Sequence, residues 1–99
     1  MSSGHLATDR PARIRTLLET AFAPLALEVV DDSARHAGHA GARDGRGHFN
    51  VSIVSDAFAG QSPIARHRAV YAALGDLMTT DIHALSIRAR TPGEAASDA

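Results

Sequence analysis

One stretch of the chain decides its fold. Residues 48–90 read HFNVSIVSDAFAGQSPIARHRAVYAALGDLMTTDIHALSIRAR. Apolar and polar residues alternate at its start, which predicts a half-buried strand, and Ser62-Pro63 then opens a helical pattern as cap and first residue. Residues 79–81 break this helix, and residues 82–89 alternate again as a strand. A strand–helix–strand unit with this crossover length predicts two parallel strands joined in the right-handed sense.

The helix of this unit carries a histidine between two arginines, Arg66-His67-Arg68. Its apolar residues recur at helical spacing and predict one buried stripe: Ile64, Val70, Tyr71, Leu74 and Leu77. His67 lies three residues from Ile64 and four from Tyr71, beside that stripe. We therefore interpret His67 as a structural, hydrogen-bonded residue and expect it to be largely buried.

The residues upstream of this unit predict a helix and one more strand. A helical stripe runs from Ile14 to Phe22 and stops at Pro24, and residues 25–30 are β-like and pair naturally with the strand after His48. The predicted order is α-β-β-α-β, an α+β domain whose three-stranded mixed sheet has its helices packed on one face. Residues 1–8 are expected to be disordered and residues 93–99 to form a flexible tail.

A long glycine-rich segment separates the first two predicted strands. Residues 34–47 read ARHAGHAGARDGRG and include His36 and His39. Hairpin loops use two to five residues, so this one is longer than a hairpin needs, and we expect it to be the least ordered internal segment. A solvated polar loop, a zinc-binding His-x-x-His pair and a functional loop all remain open.

Two further histidines open the parallel strands. His48 precedes the first strand and His83 lies at the start of the last one. Parallel neighbours begin at the same end of a sheet, so we expect the two imidazoles to lie near each other. The long segment reaches His48 at that end, which brings His36 and His39 within reach of His83.

Composition excludes several function classes. The 99 residues allow one domain, with 44% hydrophobic and 21% charged residues and a net charge of −1. Without cysteine there is no disulfide, thiol nucleophile or thiolate metal site, and no Ser–His–Asp, phosphate-loop or paired-carboxylate motif indicates an enzyme. No apolar run approaches a membrane span and no secretory signal opens the chain, so we expect a cytoplasmic protein.

The motifs of residues 48–92 resemble the BolA family. The matching pieces are the His48-Phe49 strand start, Val54-Ser55, Phe58-x-Gly60, Arg66-His67-Arg68 and Ile82-His83-Ala84-Leu85. The resemblance extends over roughly residues 14–92, so residues 9–92 are interpreted as a BolA-like domain. It implies a class II KH-like fold, in agreement with the order of elements above.

What the resemblance implies about function is specific. BolA-like proteins pair with monothiol glutaredoxins that carry a Cys-Gly-Phe-Ser site, and the two proteins share a [2Fe–2S] cluster in cluster trafficking or in iron and redox sensing. The glutaredoxin supplies its cysteine and a glutathione thiolate. By resemblance, this chain would supply His83 and one loop histidine, His39 or His36. No cofactor is expected in the isolated chain.

The alternative function implied by the resemblance is transcriptional regulation of stress response and cell morphology through DNA. Arg66, Arg68, Arg88 and Arg90 are the residues proposed to form a patch for a partner or for nucleic acid. Because the net charge is −1, DNA affinity should be modest and steeply salt-dependent. A homodimer is left open.

Overall fold

The computed structural model describes residues 9–32 and 47–98. Their elements are helix α1 Arg10–Phe22, strand β1 Ala26–Asp31, strand β2 Gly47–Val54, a 3₁₀ helix Asp56–Phe58, helix α2 Pro63–Leu74, helix α3 Leu77–Thr80, strand β3 Ile82–Arg90 and helix α4 Pro92–Asp98. The predictions for residues 1–8 and for the long loop, including His36 and His39, lie outside the described residues. The α-β-β-α-β order is confirmed, with the 3₁₀ helix and two short α-helices, α3 and α4, added.

The three strands form one mixed sheet in the order β1-β2-β3. Strand β1 pairs with β2 in antiparallel register, Leu27 opposite Ile53, and β2 pairs with β3 in parallel register, Val51 opposite Ile87. The parallel pair is the one that the strand–helix–strand pattern predicted. Strand β2 is therefore central, which explains why its inward residues alternate so cleanly.

The core lies between the sheet and the helices. Its residues come from every layer: Ile14, Leu18, Phe49, Val51, Ile53, Phe58, Val70, Leu74, Leu77 and Ile82. Leu85, Ile87 and Ala89 of β3 pack against the same cluster, so the intervening Ala84, Ser86 and Arg88 lie on the other face of the sheet. That second face, which we call the open face, is lined by small and polar side chains.

The Ser62 cap of α2 is the one that the sequence predicted, but the predicted apolar stripe of that helix is only partly correct. Asp9 caps α1 and Ser62 caps α2, each accepting a bond from a backbone N–H at 3.1 Å. Ile64 and Tyr71 were expected in the buried stripe, yet they are 62% and 41% exposed. The stripe instead runs through Val70 and Leu74, and Gly75, with a φ of 54°, ends the helix there.

Helix α4 corrects the expectation of a flexible tail over residues 93–99. Thr91 and Glu94 form a reciprocal capping box: the Glu94 N–H donates to Thr91 Oγ1 at 3.2 Å, and the Thr91 N–H donates to Glu94 Oε1 at 2.9 Å. Pro92 supplies the first helical residue between them. The Thr-x-x-Glu pattern of this box is present in the sequence, although the box itself contains Gly93 and only five residues follow it.

Arg66 connects α4 to the rest of the domain. Its guanidinium donates to Glu94 Oε1 at 2.6 Å and Oε2 at 3.0 Å, to the Ala89 carbonyl at 3.0 Å and to the Gln61 carbonyl at 2.9 Å. The hydrogen bonds from Arg66 to the Glu94 carboxylate, followed by the bond from the Thr91 N–H, lower the pKa of Glu94 to about 2. The same contact raises the pKa of Arg66.

We expect the Arg66–Glu94 contact to make stability depend on acid pH. Because the pKa of Glu94 is depressed to about 2 in the folded chain, the stabilisation is present above the ordinary glutamate value of 4.5 and is lost as pH falls from there toward 2. Urea unfolding of the wild type and Glu94→Gln from pH 7 to 2 checks this. The difference between them should shrink on acidification, and added salt should weaken it because Glu94 is 48% exposed. A difference that stays constant with pH would contradict the assignment.

Candidate functional site

His83 is the extra residue of a β-bulge. Gly47 pairs with Ile82, whereas the next residue, His48, pairs with Ala84, so His83 has no counterpart on β2. Simple alternation put His83 on the face of Leu85, and that expectation is wrong. Because the bulge adds a residue, Ile82 and Leu85 both point inward and His83 is exposed.

The bulge brings His83 beside His48. The centroids of the two imidazole rings are 5.1 Å apart, and the ring planes are inclined by 49°. His48 is half-buried on the open face, while His83 is exposed at the end of the sheet. The prediction that these two histidines lie close together is therefore confirmed.

Asp81 fixes the backbone at the start of both strands. Its carbonyl accepts the Gly47 N–H at 2.9 Å, one residue before His48, and its own N–H donates to the Leu77 carbonyl at 2.9 Å. Its carboxylate accepts from Arg10 Nε and Arg13 Nη1 of α1, each at 3.2 Å. The Thr80 hydroxyl and then these two arginines lower the pKa of Asp81. Helix α1, helix α3 and strand β2 therefore meet at the residue that lies two positions before His83.

A shallow cavity of about 350 Å³ opens on the sheet beside His48. It is lined by Asp32, His48, Phe49, Asn50, Ala84 and Ser86. Asp32 pairs with His48 through its N–H, which donates to the His48 carbonyl at 2.7 Å. Within residues 9–32 and 47–98, no group of three or more histidine, cysteine, aspartate or glutamate side chains is arranged to hold a metal ion.

The four arginines predicted to form a binding patch do not lie together. Arg66 is occupied by Glu94 and two backbone carbonyls, and its side chain is only 11% exposed. Arg68 is exposed on α2, on the helical side of the sheet, whereas Arg88 and Arg90 have the parity of the open face. We therefore correct the role of Arg66: it is a structural residue, because its guanidinium is bonded to two carbonyls and a carboxylate of its own domain.

His67 is half-buried rather than largely buried, and it does not belong to the core cluster. The buried face of α2 is centred on Val70 and Leu74 rather than on Ile64 and Tyr71. His67 therefore lies at the margin of the buried face. A structural role for His67 stays a prediction.

Comparison with known proteins agrees with this architecture. The model of one protein family, described as BolA-like protein, matches residues 18–94. This chain belongs to the BolA-like family. The BolA domain of SufE1 from Arabidopsis thaliana, a solved structure, has a TM-score of 0.79 at 51% identity, over 87% of this chain and 95% of that one.

Three curated relatives of this BolA-like chain show how its length compares. SufE-like protein 1 and BOLA1 of Arabidopsis thaliana are 51% and 44% identical over 87% and 90% of the chain, but the chain spans only 24% and 58% of their lengths. The third, a DNA-binding transcriptional regulator BolA from Escherichia coli, is 43% identical over 80% of the chain and 72% of its own length. The activities of these longer proteins do not transfer to the chain as a whole.

The family and fold expectations for this BolA-like chain are thus confirmed. No helix in the described part of the chain is long and apolar enough to cross a membrane. The two plant relatives carry chloroplast and mitochondrial names, so a cytoplasmic location stays a prediction.

Proposed function

We propose that this protein is a non-enzymatic adaptor that pairs with a monothiol Cys-Gly-Phe-Ser glutaredoxin and shares a [2Fe–2S] cluster with it, in cluster trafficking or in iron and redox sensing. The observation that carries the proposal is the bulge at His83, which exposes an imidazole at the end of the sheet. A partner can approach that imidazole without displacing the core.

The chemistry of the available side chains fits such a shared cluster. Imidazole is a good ligand for iron, and histidine ligation raises the reduction potential of a [2Fe–2S] centre relative to cysteine ligation. Because this chain has no cysteine, it cannot hold a cluster by four thiolates. The partner would supply its own cysteine and the thiolate of bound glutathione, and His83 would supply one nitrogen.

A second histidine of this chain is proposed to complete the ligand set, either His39 or His36. Support comes from the last residue of their segment: Gly47 pairs with Ile82, next to His83. The segment that carries both loop histidines therefore joins the sheet beside the exposed imidazole. The glycines of the segment permit the backbone conformations that this requires.

Anaerobic reconstitution tests the proposal. The chain is mixed with a Cys-Gly-Phe-Ser glutaredoxin, glutathione, ferric iron and sulfide, and the product is separated by size. We expect a heterodimer that absorbs visible light, with a spectrum different from that of the cluster-bound glutaredoxin alone. A glutaredoxin that forms the same coloured species whether or not this chain is present would contradict the proposal.

DNA binding is the second candidate function, and one observation favours it: the Escherichia coli relative is named as a DNA-binding transcriptional regulator. Against it, the net charge is −1 and the predicted arginine patch is divided between two faces. If DNA binds, Arg88 and Arg90 of the open face are the candidates, while Arg66 is not. Fluorescence anisotropy on duplex DNA at increasing salt measures this; weak binding that salt abolishes is the expected result for so few phosphate contacts.

A further inference from the structure

We propose that His48 and His83 together bind a divalent transition-metal ion, with Zn²⁺ as the representative case, in the isolated chain. This site does not require a glutaredoxin, a cluster or the loop histidines. It rests on the geometry of two imidazoles that the fold itself brings together. Its occupant is a single ion, in contrast to the shared cluster proposed above.

The separation of the rings suits ligation of one ion. A zinc ion bound to a ring nitrogen at about 2.0–2.1 Å lies roughly 3.2 Å from the ring centre, so two imidazoles on one tetrahedral ion have centres about 5 Å apart. The observed separation is 5.1 Å, and the 49° inclination leaves both rings free of parallel stacking.

The backbone under both histidines is fixed before any ion arrives. Asp81 accepts the Gly47 N–H beside His48 and is itself held by Arg10 and Arg13, while Ile82, 1% exposed, anchors the residue next to His83 in the core. An ion would therefore meet two imidazoles whose backbone positions are already set by the sheet. Preorganisation of this kind raises affinity without adding contacts.

The coordination sphere would remain open. No third ligand completes the pair among the side chains of residues 9–32 and 47–98, so water would fill the remaining positions. The neighbouring cavity of about 350 Å³, lined in part by Asp32, Asn50 and Ser86, provides polar groups for such waters. An ion with exchangeable positions is accessible to outside ligands such as thiolates. While it is bound, it also occupies His83 and would exclude that side chain from other ligation.

Calorimetric titration of the full chain with Zn²⁺ alone tests the site. We expect binding to the wild type and at least tenfold weaker binding to His48→Ala and to His83→Ala, because each variant loses one of two protein ligands. The matched control is His67→Ala, which removes a histidine from α2 and should bind as the wild type does. Thermal melts of each variant show that it is folded before it is titrated.

The loop histidines are the competing explanation, and a double variant separates the two. Under the proposal, His36→Ala/His39→Ala still binds Zn²⁺ and still loses binding when His83→Ala is added. Imidazole resonances of the wild type, followed by ¹H–¹⁵N NMR, should shift for His48 and His83 on addition of Zn²⁺. Loss of binding in the loop double variant, with His48→Ala unaffected, would overturn the proposal, as would unshifted His48 and His83 resonances at saturating ion.

Discussion

The His83→Ala variant is expected to fold as the wild type does and to form no coloured heterodimer with a Cys-Gly-Phe-Ser glutaredoxin and glutathione. Truncation of an exposed side chain on a bulge removes little packing, so the free energy of unfolding should change by less than about 0.5 kcal/mol. The loss of the coloured species should be nearly complete, because His83 is the exposed imidazole on the sheet among residues 9–32 and 47–98.

Two comparisons make this result specific to ligation. His67→Ala removes a half-buried histidine from α2 and should leave the coloured heterodimer intact. His36→Ala and His39→Ala, tested singly, should alter the visible spectrum in one case only, and neither should abolish the heterodimer that forms without a cluster. A His83→Ala protein that assembles the same species with the same spectrum would remove His83 from the ligand set.

Part of this site could be predicted from the sequence. Parallel strands begin at one end of a sheet, so the strand–helix–strand pattern was enough to predict that His48 and His83 lie together. The pattern could not reveal the bulge, since alternation identifies a face only while residues are matched one to one. Only the pairing of His48 with Ala84, after Gly47 with Ile82, shows that His83 is supernumerary and exposed.

Arg66 illustrates a different limit. In sequence it flanks His67 with Arg68, and nothing local distinguishes the two arginines. Their roles diverge because Arg66 reaches carbonyl groups at the ends of other elements, Ala89 on β3 and Gln61 before α2, and a carboxylate on a helix that the sequence did not predict. A long side chain finds its partners through tertiary structure, so its role follows from the position of α4 rather than from helical periodicity.

The point at which α2 ends determines which of its residues form the buried face. Periodicity counted from Ile64 to Leu77 assumed one continuous helix, but Gly75 ends α2 and Leu77 belongs to α3. Because the helix ends at Leu74, its buried residues are Val70 and Leu74, and these two define its buried face. Ile64, the second residue of α2 and 62% exposed, then falls outside the buried face.

Phe58 lies just after the C-terminal end of β2, whereas His83 lies where β3 begins. We expect Phe58→Ala to destabilise the fold far more than His83→Ala does. Its ring is fully buried, and the ring centroid lies 5.0 Å from that of Phe22 at the end of α1. The 3₁₀ helix that carries it is capped by Ser55, which accepts the Ala57 N–H at 3.0 Å and donates to the Phe22 carbonyl at 2.7 Å. The turn after β2 is therefore fixed to α1 by one hydroxyl and one pair of rings.

Removing the Phe58 ring should lower the free energy of unfolding by about 3–5 kcal/mol, because the transfer energy of the ring is lost and the rigid capped turn cannot collapse into the cavity. That is a large share of the roughly 5–15 kcal/mol that stabilises a domain. Urea unfolding measures this loss as a fall in the midpoint at an unchanged slope.

Ile64→Ala is the matched control: it deletes an aliphatic side chain that is 62% exposed, and its cost should stay within about 0.5 kcal/mol. Equal costs for the two variants would show that Phe58 does not anchor the core, and the account of how α1 is fixed to the end of β2 would then be wrong.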